Sequence, residues 1–216
     1  MPEQKKGIKA YDISCVGVSP FLQNPMTDEV LDELLGGKSA RKGAVTDITK
    51  DERARRKLCL GANDEFGFPE TYLFACLVSA GRYVQFAGKK NISTLSESLM
   101  PAFLTIVSPS TTKSGDGFIP FANQDAQWVM DMRRGVLAAN KAAVAIVRPK
   151  FKEWAFDVRV EVDLDQIAID KIESLFEVAG RQCGLGDFRP SKRGPFGRFM
   201  VAKFAEAEAL EVRKAA

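Results

Sequence analysis

The chain has 216 residues, 45% of them hydrophobic and 27% charged, with a formal charge of +3; it is long enough to bury a real core, it fits no disordered class, and nucleic-acid binding must be argued from where its cations lie. Having no histidine, it excludes a Ser-His-Asp triad, a histidine-dependent ribonuclease site and a histidine-ligated metal. Four scattered cysteines without C-x-x-C spacing or a secretory leader read as free thiols in a reducing cytoplasm, and no apolar run is long enough to span a membrane.

Residues 8–18 alternate loosely and read as a first strand, broken by the turn Gly17-Val18-Ser19-Pro20-Phe21-Leu22 and a second proline at Pro25. Residues 26–35 carry Val30, Leu31, Leu34 and Leu35 at helical spacing, with Thr27 as cap, and stop at Gly36-Gly37. The stretch 38–57 holds Lys38, Arg41, Lys42, Lys50, Arg53, Arg55, Arg56 and Lys57 with few large apolar side chains. It predicts an exposed basic insertion, set at about 36–57, with a short helix at 51–57.

A short strand and turn follow at 58–69, and the spacing of Leu73, Phe74, Leu77, Val78 and Val84 predicts a core-facing helix over 70–87 that ends at Gly88. An apolar strand at 102–107 leads into a Ser, Thr, Pro and Gly loop at 108–117. Residues 118–121 and 128–132 are strand-like, with Arg133 and Arg134 at their edge; 141–147 is apolar, and 148–154 reads as a basic, aromatic turn. Phe156, Val158, Val160, Val162 and Leu164 alternate with Asp157, Arg159, Glu161 and Asp163, the clearest strand in the chain. Asp165 is the expected cap of the next helix, whose stripe is Ile167, Ile169, Ile172, Leu175, Phe176 and Ala179.

Residues 180–198 then mix glycines, cations and aromatics without any period before a returning strand at 199–204 and a flexible tail from about 205. Glycine permits close backbone approach and positive φ, and successive free N–H groups make anion-binding concavities. Gly184, Gly186, Gly194 and Gly197, with Arg189, Lys192, Arg193 and Arg198, thus fit a phosphate, and Phe188 and Phe196 add faces on which bases could stack. With Lys38, Arg41, Lys42, Arg55, Arg56, Lys57, Arg133 and Arg134, these are the candidate nucleic-acid-binding residues.

The run 156–204 is β-α-loop-β, and the N-terminal half offers a second such series. Together they predict an α+β chain, one ferredoxin-like or RRM-type domain over 1–216, with an antiparallel sheet, helices on one face and an insertion. The other sheet face, its loops and the basic insertion would then form one binding surface.

The pattern Gly184-Leu185-Gly186, Arg189, Gly194-Pro195-Phe196-Gly197-Arg198-Phe199, between a helix and the last strand, resembles the C-terminal glycine-rich loop of the RAMP superfamily, the RRM-fold RNA-binding proteins of CRISPR systems. The turn at 17–22 is similar to the small-Pro-Leu-Leu turn that opens backbone subunits of that superfamily and their phage or mobile-element relatives, and the basic insertion sits where such subunits carry a thumb. The resemblance implies non-catalytic, sequence-independent binding to the backbone of single-stranded RNA within a ribonucleoprotein, as a homo-oligomer beside other subunits, with no cofactor. By that likeness Gly184, Gly186, Arg189, Gly194, Gly197 and Arg198 hold phosphates, and Arg41, Lys42, Arg55 and Arg56 belong to the thumb; residue types alone do not separate RNA from DNA.

Two other readings compete. Asp163, Asp165 and Asp187 could hold Mg²⁺ for a metal-dependent nuclease, although Asp163 and Asp165 already have ordinary roles as wet-face residue and helix cap. Alternatively, Phe66, Phe68, Phe118, Phe121, Trp128 and Trp154 could serve protein contacts in a phage structural or interaction protein, although such aromatics are commonly core.

Overall fold

The structure, a computed structural model, describes residues 7–26, 48–136 and 142–207. Strand β1 (Ile8–Gly17) and the short β2 (Phe21–Leu22) come first, then α1 (Lys50–Arg55), β3 (Gly67–Pro69) and α2 (Glu70–Ala80). A small hairpin of β4 (Gln85–Ala87) and β5 (Lys90–Asn91) precedes α3 (Met100–Phe103), β6 (Leu104–Val107), β7 (Ser110–Thr111) and β8 (Gly117–Pro120). The long strands β9 (Trp128–Val136), β10 (Ala143–Phe151) and β11 (Ala155–Asp163) lead to α4 (Ile169–Val178), a π turn (Ala179–Cys183), a 3₁₀ turn (Pro190–Lys192) and β12 (Phe199–Glu206).

Alternation in β1 and β11 does what a half-buried strand requires. Tyr11, Ile13 and Cys15 on β1 and Phe156, Val158, Val160 and Val162 on β11 are buried, and the two strands pair antiparallel from Ile8 opposite Asp163 to Val16 opposite Ala155. Strand β12 pairs with the other side of β1 and β6 with the other side of β11, giving the order β12-β1-β11-β6. With α2 lying between β1 and β6 in the chain and α4 between β11 and β12, this is the β-α-β-β-α-β ferredoxin-like arrangement. Leu73, Cys76 and Leu77 of α2 and Ile172, Leu175 and Phe176 of α4 join the inward residues of the sheet in one core, so both helices cover the same face.

Several expected boundaries move for local reasons. The helix predicted to reach residue 87 stops at Ala80, and its last part becomes β4. A side chain at Gly81 would meet Ser93 Oγ at 2.5 Å, so the chain turns there against its neighbour. Asp165 does not cap α4: Asp163 accepts from the Asp165 amide at 3.0 Å and from the Gln166 side chain at 2.7 Å, and the turn so made delays the helix to Ile169, with Ala168 at its cap. The expected turn at 148–154 is instead strand as far as Phe151, and β12 runs on to Glu206, held by a 2.7 Å pair with Lys9. Residues 208–216 of the tail lie outside the described residues, as do residues 27–35 of the helix expected at 26–35 and residues 36–47 of the insertion. What is described of the insertion is α1, capped by Thr49 Oγ1, which accepts from the Glu52 amide at 3.2 Å.

Of the aromatics considered for protein contacts, Phe68, Phe118, Phe121 and Trp154 are core; Phe66 and Trp128 are half-buried against that core. Phe21 and Trp154 lie 4.9 Å apart and Phe156 and Phe199 5.5 Å apart, in a contiguous aromatic cluster under the Gly17 turn. That cluster is where the large rings find apolar surface, so these side chains do not form an exposed interface.

All four cysteines are free and buried. Burial pushes the Cys59 thiol up to about 12 and raises Cys15, Cys76 and Cys183 as well, so the reactive thiolate is scarce at neutral pH. Folded protein is therefore expected to leave its thiols essentially untouched by dithionitrobenzoate at about pH 8, where an ordinary cysteine reacts, and to expose all of them in denaturant. Rapid modification of two or more thiols in the folded chain would contradict this packing.

Candidate nucleic-acid interface

The two stretches that stood out in the sequence, the turn at 17–25 and the loop at 184–198, meet in space. The Val18 amide donates to Arg198 O at 2.8 Å, Gly197 N to Pro20 O at 2.8 Å and Asp187 N to Leu22 O at 2.8 Å; Arg198 N donates to Ser19 Oγ at 2.9 Å. Within the loop, Leu185 N bonds Gly197 O at 2.8 Å and Gly194 N bonds Arg189 O at 3.0 Å, while Gly184 N closes the π turn on Ala179 O at 2.8 Å.

These bonds correct one expectation. The amides of Gly184, Gly194 and Gly197 are engaged inside the protein and are not presented to an anion, and Gly184, Gly186, Gly194 and Gly197 are all buried. A Cβ at Gly186 would meet Leu22 O at 2.5 Å, and one at Gly194 would meet Phe188 O at 1.7 Å. The glycines let the loop fold closely on itself and, at Gly186, lie against the turn.

A buried ion network ties this loop to the β9–β10 hairpin. Arg148, whose side chain is 4% exposed, donates through Nε to Asp131 Oδ2 at 3.2 Å and through a terminal nitrogen to Asp187 Oδ2. Arg133 Nε reaches both Asp131 oxygens at 3.0 Å, and Lys150 lies 4.0 Å away. Phe188 and Phe196 extend the clamp: Arg148 sits over the Phe188 ring at 6.0 Å and Arg133 over the Phe196 ring at 4.7 Å, with the two rings 6.0 Å apart. Phe196 is 9% exposed, so this ring is a wall between loop and hairpin and not an open stacking platform, which corrects the base-stacking expectation for it. Phe188 is half-buried in the same clamp.

The remaining predicted cations divide by position. Lys192, Arg193 and Arg198 are exposed and form no ion pair among the described residues. Arg189 is spent within the loop, donating to Gly186 O at 2.7 Å and Ser191 Oγ at 3.0 Å. Arg133 shares the face of Asp131, and since successive strand residues point to opposite sides, Arg134 faces away from the loop. Lys57 donates to Asn24 Oδ1 at 2.8 Å, and burial lowers its pKa, with Arg148 acting in the same direction. Arg55 stacks over Trp128 at 5.6 Å and Arg56 pairs with Glu52 at 3.3 Å; α1 thus lies against the hairpin. Lys38, Arg41 and Lys42 lie outside the described residues. The residues that hold the site together and were missed are Asp131 and Arg148; Asp131 is the single acid in its strand stretch and Arg148 one of several cations in its own, and only the strand pairing sets them opposite one another.

Beside the loop, Asn24, Thr71, Tyr72, Asp187 and Arg189 contribute to a polar cleft of about 300 Å³, in which burial pushes the Tyr72 hydroxyl up to about 12. The face of the main sheet that no described helix covers is of mixed charge, with Lys203 opposite Ser14 on β1. It presents Asp12, Asp157 and Glu161 around Arg159, which is bound to Asp12 at 2.7 and 2.8 Å and holds that carboxyl below its ordinary value. The Asp163, Asp165 and Asp187 constellation is not assembled: Asp163 pairs with Ile8 at the start of β1, Asp187 packs on Leu22 beyond its end, and a ten-residue strand separates them by roughly 30 Å. Among the described residues no cluster of acidic or cysteine side chains could hold a metal ion, and no helix is long and apolar enough to cross a membrane.

No family model matches this chain, and no curated protein matches it. Among solved structures, it is similar to a chain of the cryo-EM structure of a type III-B Cmr-beta bound to cognate target RNA, with 9% identity and a TM-score of 0.49 over 93% of this chain. The match spans 61% of that neighbour's length, and the ferredoxin-like fold of this chain stands on its strand order and connectivity alone.

Proposed function

We propose that this chain binds the backbone of single-stranded nucleic acid, without cutting it, along the surface where the 184–198 loop is clamped to the β9–β10 hairpin. The observation that carries the reading is the placement of Lys192, Arg193 and Arg198, exposed and without ion pairs among the described residues, on a loop fixed from both sides by hydrogen bonds and by Arg148. Cations on a pre-ordered backbone lose little freedom when they meet a phosphate chain, and several of them act together. The glycines act indirectly, by shaping the loop. RNA is preferred to DNA because the loop resembles that of the RAMP superfamily, and a subunit of a CRISPR-like or mobile-element ribonucleoprotein is the setting that resemblance implies.

The test is a fluorescence-anisotropy titration of a single-stranded oligonucleotide across a range of salt. A chain carrying Lys192→Glu, Arg193→Glu and Arg198→Glu should bind on the order of tenfold or more weakly, with a log-log salt slope flattened by about 0.7 per lost contact. Arg134→Glu, on the opposite face, should change affinity by less than about twofold. Equal losses from both, or wild-type affinity indifferent to salt, would end this reading.

A further inference from the structure

Strand β9 is an outer strand. It bonds β10 on one side through nine consecutive pairs from Trp128 opposite Phe151 to Val136 opposite Ala143, and among the described residues no strand pairs with its other side. Long, regular edges with apolar side chains are templates for pairing, and proteins guard them with charge, proline, a bulge or short length; of these β9 has charge, in Asp131, Arg133 and Arg134. Strand β9 has no proline and no bulge, and Met130, Met132 and Val136 are exposed on it, Met132 by 50%.

The residue order of β9 is complementary to its own reverse. Two copies placed antiparallel about a two-fold axis between their Met132 residues set, on one face, Asp131 opposite Arg133 of the second copy and Arg133 opposite its Asp131, so each copy's Arg133, 42% exposed, adds to the other copy's network of Asp131, which is already bonded to its own Arg133 and Arg148. On the other face Trp128 lies opposite Val136, an aromatic and β-branched pair, at both ends, and Met132 lies opposite itself. An axis perpendicular to the sheet keeps each side chain on its own face, so the nearest alternative registers are centred on Asp131 or Arg133. Those put two carboxylates or two guanidiniums on the axis. We propose that the chain forms an isologous dimer in which β9 pairs antiparallel with β9 of a second copy, centred on Met132. This goes beyond the binding reading and needs no nucleic acid. It also sets the two Arg133 faces on the same side of one continuous sheet.

The experiment uses the full chain without nucleic acid, in sedimentation equilibrium. Wild type should approach twice its 23.7 kDa mass as its concentration is raised to about 100 µM, a range that reveals even weak pairing. Met132→Glu and Met132→Lys each place like charges on the axis and should stay monomeric alone; mixed in equal amounts they should recover the dimer. The position is exposed enough for both variants to fold, which circular dichroism checks, and Arg134→Ala, off the axis, serves as a second variant that should keep the dimer. Monomeric wild type, dimeric single variants, or a mixture that stays monomeric would each overturn the proposal while leaving the nucleic-acid reading untouched.

Discussion

Gly197→Ala should lower the unfolding free energy by about 3 kcal/mol or more, more than a surface glycine substitution can. Two causes add at this position. Gly197 has φ +70°, where an L side chain costs roughly 1–2 kcal/mol. In addition, its Cβ would stand 1.8 Å from Leu185 O. That oxygen cannot retreat without dragging the Leu185 backbone, whose amide is bonded to Gly197 O at 2.8 Å. Gly88 isolates the first cause, because at φ +55° a Cβ added there would have nothing within 4 Å; Gly88→Ala should cost only about 1 kcal/mol. Urea denaturation of the two variants measures the difference. Equal destabilisation would mean that the close packing of Gly197 on Leu185 within the loop contributes nothing beyond backbone strain, and the loop would lose that account of its fixed shape.

How far the sequence revealed this molecule follows from the range of the interactions involved. The alternation in 156–162 and the stripe at Ile172, Leu175 and Phe176 report burial directly, and a strand and a helix are found there, the helix starting at Ile169, later than the stripe from Ile167 implied. The ferredoxin-like class follows from the chain alternating strand and helix twice, whereas the strand order comes from the pairing in the structure. What periodicity does not carry is pairing at long separation. Arg148 sits in a stretch that reads as a basic turn, yet its charge is consumed by Asp131, 17 residues away, and Asp187, 39 residues away. Gly194 and Gly197 read as an open phosphate cradle because glycine looks the same in sequence whether its missing side chain makes room for a ligand or for Phe188 and Leu185. Lys192, Arg193 and Arg198 were legible as cations, but only the structure separates them from Arg189, which is bound up in its own loop.

The buried network gives the other large effect. Arg148→Met alone should destabilise by about 3 kcal/mol, the lower end for breaking a buried pair, because Asp131 keeps Arg133 at 3.0 Å as a partner. Asp131→Leu alone should cost a similar amount, roughly 3 kcal/mol, since it leaves a guanidinium whose side chain is 4% exposed with only Asp187 as a carboxylate partner among the described residues. The double variant removes both charges and fills the space with apolar atoms, so it should return to within about 1 kcal/mol of wild type, a coupling that a denaturation cycle measures. Additive losses would show that the two residues contribute independently. Binding should not recover with stability: the double variant also lacks the Arg148 bond to Asp187, and with it the tie that holds the cationic loop against the hairpin. A double variant that is stable but binds nucleic acid weakly would identify Arg148 as a positioning residue, whereas full recovery of both would reduce the network to a stability element.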